Sequence, residues 1–311
     1  MIIALLAAGV SALALPAMVR PLGRWLEAAR WARLCTAALL AGALTVEVTA
    51  VLWAGPTVLR AVGLPALASM CARMLGRLIP GGPTAGWAAF VVALTVAGLA
   101  ARAVRTAGRE AAAAVVEASL GEHLRAGAHE HVVLPTSRPI AVSVPGPPTQ
   151  ILISEGLRQR LTPEQLDVVL AHEAAHLDHD HHRYLLLATA IESAFAVSPL
   201  ARRSAAALRA ALERWADDVA TGGDPARRQG LRQVLLDVVD LPAAADLAAL
   251  SAASTVLERL DALDRPPARP SRWFVGAITA PWVALGATIS FAAGSWMEQA
   301  RWVFAMVGHC S

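Results

Sequence analysis

Residues 172–176 read His-Glu-Ala-Ala-His. In a helix, side chains four positions apart lie one above the other, so His172 and His176 aim two imidazoles at one point. Two imidazoles at that spacing suit a zinc ion, and a catalytic zinc takes three protein ligands and keeps a fourth position open. Glu173, beside the first histidine, is placed to take the proton of an attacking water. The chemistry this pattern offers is metal-assisted hydrolysis of a peptide bond.

Two patterns compete for the third ligand. One places a histidine six residues after His176, at His182, but it needs glycine three residues after His176 to turn the chain. His179 stands there, and no methionine follows until Met297. The other takes a glutamate from a later helix. Glu213-Arg-Trp-Ala-Asp217 fits: Glu213 can ligate, and Asp217, one turn on, can accept a hydrogen bond from a ligand histidine and orient it. This second pattern is the stronger. The remaining histidines, His179, His181 and His182, read as a solvated polar helix end.

The motif needs a helix, and its flanks specify one. Thr162 is a good N-cap, Pro163 suits the first helical position, and Gln165 completes a capping box. Upstream, residues 106–126 read as helix. Then 131–134, 140–144 and 150–154 read as short strands between Pro and Gly turns. An exposed edge strand of such a sheet can hold an extended peptide across the metal. Residues 184–200 are apolar but carry Glu192, and one membrane crossing there would part Glu213 from His172. They read as a core or membrane-surface helix, broken at Pro199.

The 311-residue chain is 56% hydrophobic and only 16% charged, which sets it apart from soluble globules. It has no lysine and no asparagine, and its formal net charge of +3 rests on scattered arginines. Without a basic patch interleaved with aromatics, direct nucleic-acid binding is not expected. The three cysteines have no metal-ligand spacing.

Apolar runs near 1–19, 34–55, 85–104 and 273–295 approach or reach the roughly 20 residues that span a bilayer. Arginines 20, 24, 30 and 33 lie between the first two, and others flank the region 105–272. The positive-inside rule then puts that region in the cytoplasm and both termini outside. The loop near 56–84 reads as a helix on the outer surface, and Glu47 within the second span as a helix-packing residue. The expected layout is a membrane region over 1–104 with three spans, a metallopeptidase domain over 105–272, and a last span with a short tail over 273–311.

In two stretches, Leu161–His176 and Glu213-Arg-Trp-Ala-Asp-Asp218, the chain resembles the BlaR/MecR-type integral-membrane zinc metallopeptidases. Residues 256–267 are similar to the segment before that family's last span. The resemblance implies a mainly α-helical multi-pass membrane protein of about four transmembrane helices with an inserted small α+β gluzincin-type zinc metalloprotease domain. It also implies one zinc per chain, held by His172, His176 and Glu213, with Glu173 as general base and Asp217 behind the ligands. The expected substrate is a protein, in that family a cytoplasmic transcriptional repressor, and the expected site is the bacterial cytoplasmic membrane. No large domain is expected after the last span, and the sequence has no lysine for a Ser-x-x-Lys nucleophile, so β-lactam sensing by acylation is not expected of these residues. A second resemblance is to the membrane proteases that include HtpX and the CAAX prenyl proteases, whose members usually carry a longer insertion between the two motifs. A reading from another class is a membrane signalling scaffold in which zinc only shapes the domain, but a structural site has no use for Glu173.

Overall fold

The computed structural model describes residues 2–75, 82–118, 122–126, 129–239 and 256–265, with the isolated positions 276 and 280. The chain opens with an apolar helix, α1 (Ile2–Met18), and a short turn of helix, α2 (Arg20–Gly23). Two long helices, α3 (Ala28–Ala61) and α5 (Pro83–Ala118), flank α4 (Pro65–Leu75). By length and composition α3 and α5 are able to cross a membrane, which points to membrane association, whereas α1 is shorter. On α5 the apolar side chains Val91, Val92 and Leu94 are each more than half exposed, as lipid-facing residues are.

Of the four expected spans, the second and third fall within α3 and α5, and the first coincides with the 17-residue α1. The fourth, near 273–295, lies outside the described residues. The outer-surface reading of 56–84 is corrected at its start: residues 56–61 continue α3, through Pro56, and the separate helix is α4.

Close approach of α1 and α3 depends on two glycines. A Cβ on Gly42 would stand 2.8 Å from the backbone oxygen of Gly9 and 2.8 Å from the backbone nitrogen of Leu13. Small residues let helix backbones meet in this way.

The polar part begins with a four-stranded sheet. Its strands β1 (Glu122–Ala126), β2 (His129–Leu134), β3 (Ala141–Val144) and β4 (Gln150–Ser154) lie in the order β1-β2-β4-β3. β2 and β4 are parallel, and the other two pairs are antiparallel. The expectation of helix through residue 126 is corrected here. Helix α5 ends at Ala118, and residues 122–126 form β1, from Glu122 opposite Val133 to Ala126 opposite His129. Glu-His-Leu-Arg-Ala carries no β-branched residue, so this strand owes its form to pairing with β2 rather than to its own preference.

After the short α6 (Glu155–Arg158) comes α7 (Pro163–Asp178), which carries the His-Glu-Ala-Ala-His run. Its start is as the sequence predicts: Thr162 accepts from the Gln165 backbone N–H, and the Gln165 side chain accepts from the Thr162 N–H. Ile153, Leu157, Val169 and Val234 bind α7 to the sheet and to α10 (Pro225–Val239). Helices α8 (His181–Ala194) and α9 (Pro199–Thr221) follow, and α11 spans 256–263. The stretch expected as one helix broken at Pro199 is α8, a short break, and Pro199 as the first residue of α9.

One core joins the apolar helices to the polar part. Leu13 of α1, Trp31, Cys35 and Leu39 of α3, Ile191 of α8, and Leu208, Leu212 and Trp215 of α9 belong to a single buried cluster. Ser204 of α9 accepts a hydrogen bond from the Ala17 backbone N–H at 3.0 Å. The helix that presents Glu213 is thus packed directly on the first and third helices of the chain.

Candidate metal centre

Helix α7 lies between the sheet and α9, so its two edges face different partners. His172 and His176 look toward α9. Their Nε2 atoms are 3.2 Å apart, and Glu213 brings Oε2 to 3.6 Å from His172 Nε2 and Oε1 to 3.7 Å from His176 Nε2. The three residues offer ligand atoms that all lie within 4.8 Å of one another. Ligands about 2.0–2.1 Å from one tetrahedral ion stand roughly 3.3 Å from each other. The spacings and the donor set of two imidazoles and a carboxylate therefore fit zinc, and three protein ligands leave a fourth coordination position.

Asp217, one turn after Glu213, is buried. Its Oδ1 is 3.0 Å from His172 Nδ1, the ring nitrogen opposite the cluster. A carboxylate beside Nδ1 favours the tautomer protonated there, which leaves Nε2 free to face the cluster. Burial works to lower the His172 pKa, but hydrogen bonds to Asp217 and Glu213 outweigh it and raise it to about 9. His176 lacks such a carboxylate on its far side, and burial takes it down to about 4. Glu213 is pushed upward by burial, yet its contacts with His172 and Arg259 bring it down to about 2.

Arg259, on α11, was not foreseen from the sequence. Its Nε and Nη2 donate to the two oxygens of Asp217 at 2.9 and 2.7 Å, and Nη1 donates to Glu213 Oε2 at 3.0 Å. The fork-to-carboxylate geometry holds Asp217 ionised and orients Glu213 with the same guanidinium. Its partners lie 42 and 46 residues away in the chain, so no local spacing could reveal it. The one sequence clue was the resemblance of residues 256–267 to a family segment.

Glu173 points the other way, toward the sheet. Burial raises its pKa and the neighbouring Glu213 charge adds to this, while His172 and Ser143 of β3 work in the opposite direction. A carboxylate next to a ligand-type histidine in the chain, with its pKa raised, is suited to accept a proton from water. Ser143 was a second residue missed: Ala-Val-Ser-Val reads only as a strand, and nothing in it points to Glu173.

The other histidines also differ from expectation. His179 closes α7 as its C-cap and stacks on Trp215, with ring centroids 4.9 Å apart. His182 is not part of the converging group, and its Nδ1 is 3.9 Å from Asp180 Oδ1. His181 corrects the reading of a solvated helix end, because it is fully buried. The cause is a backbone turn. Asp180 takes a left-handed conformation, φ 54°, which reverses the chain between α7 and α8 and folds His181 back onto His176. Aspartate is among the few residues other than glycine that tolerate this conformation.

Residues 101–248 match the model of Peptidase family M48. The matched stretch holds the sheet, α7 and α9, and with them His172, Glu173, His176, Glu213 and Asp217. This supports a metallopeptidase, a hydrolase of peptide bonds, and it reaches the peptidase family rather than the BlaR/MecR type. No curated protein and no solved structure matches the chain.

Proposed function

We propose that the protein is a membrane-embedded zinc endopeptidase that cuts a cytoplasmic or membrane-associated protein at the cytoplasmic face. The observation that carries this reading is the convergence of His172, His176 and Glu213, with a half-buried Glu173 next to His172 in the chain, on a body whose core is shared with apolar helices. His172, His176 and Glu213 would hold one zinc per chain. When bound, zinc polarises the scissile carbonyl and makes water acidic enough to lose a proton near neutral pH.

The chain's own residues do the rest. Glu173 takes the proton of the attacking water and delivers it to the leaving amine nitrogen. Among the described residues β3 pairs only with β4, so its other edge can bind an extended substrate backbone next to Glu173. The arginines between α1 and α3 support a cytoplasmic face for this site. A repressor-inactivating role like that of the BlaR/MecR-type proteins is our reading of its purpose, and processing or quality control in the manner of HtpX is the alternative.

The test compares wild type with Glu173→Gln, both purified in detergent and zinc-loaded. The variant should keep its zinc and lose about 10²–10⁴-fold in cleavage rate, the usual weight of a general base. Intact-mass proteomics of membrane and cytosol should then find a fragment that only the wild type produces, and its parent names the substrate. Equal cleavage by both proteins would remove Glu173 from the mechanism. Zinc binding without any wild-type fragment would favour the signalling scaffold.

A further inference from the structure

Three imidazoles form a chain at the site, and only two of them face the cluster. His181 Nδ1 lies 3.0 Å from His176 Nδ1, on the side of the ring away from His172 and Glu213. Its ring is fully buried, edge-on to His176 at 4.8 Å between centroids and 4.7 Å from Trp215. We infer that His181 is the positioning residue of His176, the counterpart of Asp217 behind His172, and that it works as a neutral acceptor rather than as a carboxylate. The inference rests on His176 being a metal ligand through Nε2.

The argument is one of protons. Two nitrogens 3.0 Å apart share one hydrogen bond, so one donates and the other accepts. If His176 presents the Nε2 lone pair to a metal, its only proton is on Nδ1, and His181 Nδ1 must accept it. The His181 proton then sits on Nε2. That atom is buried with no nitrogen or oxygen partner among the described residues, beside the Trp215 ring. An N–H beside an aromatic ring can make a weak favourable contact with it. Every donor and acceptor in the chain is thereby assigned, and the assignment locks His176 in the tautomer that binds metal. Asp180 supplies the turn that makes this possible.

Amide side chains test the inference, because each mimics one ring nitrogen. Asparagine places its oxygen where Nδ1 was, and glutamine reaches toward the Nε2 position. His181→Asn should hold zinc and keep the visible spectrum of the cobalt-substituted protein close to wild type. His181→Gln and His181→Phe should lose about 10–100-fold in zinc affinity, the usual effect of removing such a partner, and should alter the cobalt spectrum. Affinity is read by competition with a chromophoric chelator on the full-length protein in detergent, with circular dichroism to verify the fold. If all three variants bind zinc like wild type, or if Phe holds it better than Asn, His181 only fills space and the inference fails. Loss in all three, with the fold retained, also overturns it, since the acceptor was kept in one. The underlying metal assignment fails separately, and is recognised when His176→Ala binds zinc as tightly as wild type.

Discussion

Arg259 shows how the site balances charge. Asp217 and two imidazoles are buried beside the half-buried Glu213, and this one guanidinium touches both acids. Removing one member of a buried, hydrogen-bonded ion pair leaves an uncompensated charge, at a cost of about 3–5 kcal/mol. Arg259→Met is therefore expected to destabilise the protein on that scale, and pairing it with Asp217→Asn should recover part of the loss. Thermal unfolding of the two singles and the double gives the coupling, and strict additivity would mean that the pair contributes nothing. His172 yields a second expectation. With its pKa raised to about 9, it is expected to carry a second ring proton at pH 7.5, which metal binding would expel from Nε2. The sign is that zinc affinity rises with pH until about 9, and that binding heat depends on the ionisation enthalpy of the buffer. Heats identical in phosphate and Tris at pH 7.5 would mean that His172 is already neutral.

The elements divide by how local their determinants are. The capping box of α7 works over three residues and the histidine pair over four, so both were legible in the sequence. The shared face of Glu213 and Asp217 was legible because a helix repeats its face every turn. Strand β1 was not found, because its form comes from β2, and Ser143 and Arg259 meet their partners across 30 residues or more. The turn between α7 and α8 lies between these cases. A chain reversal after the second histidine was considered at position 179, where a glycine would have marked it, and it occurs one residue later at Asp180. A β-branched residue at a left-handed position costs roughly 1–2 kcal/mol. Asp180→Val should lose that amount and loosen His181, whereas Asp180→Gly should fold at least as well as wild type. Thermal unfolding of both, with zinc content, separates backbone strain from loss of the Asp180 side chain: equal losses in Val and Gly would implicate the side chain.

At the scale of the molecule, the apolar helices and the candidate metal centre are one mechanical unit. Helix α9 presents Glu213 and Asp217 and is packed against α1 and α3, so the position of the third ligand depends on how those helices meet. The composition pointed to apolar helices and the motif to a candidate metal site, but neither could reveal this shared core. It arises from Leu13, Leu39, Leu208 and Leu212, which are distant in sequence. The contact most open to testing is Gly42, where an added Cβ meets backbone atoms of Gly9 and Leu13 at 2.8 Å. Backbone cannot give way as a flexible side chain can, so Gly42→Ala must push α1 from α3, at about 1–3 kcal/mol for overpacking. On α5, Gly98 has nothing within 4 Å of such a Cβ, so Gly98→Ala should be neutral or slightly stabilising. Both variants lie far in sequence from every residue that faces the metal position. If helix packing sets the place of Glu213, Gly42→Ala in detergent will unfold at a lower temperature and release zinc to a chelator faster, while Gly98→Ala will match wild type in both. A lower unfolding temperature with unchanged zinc release would show that α9 holds Glu213 in place independently of the helices beneath it.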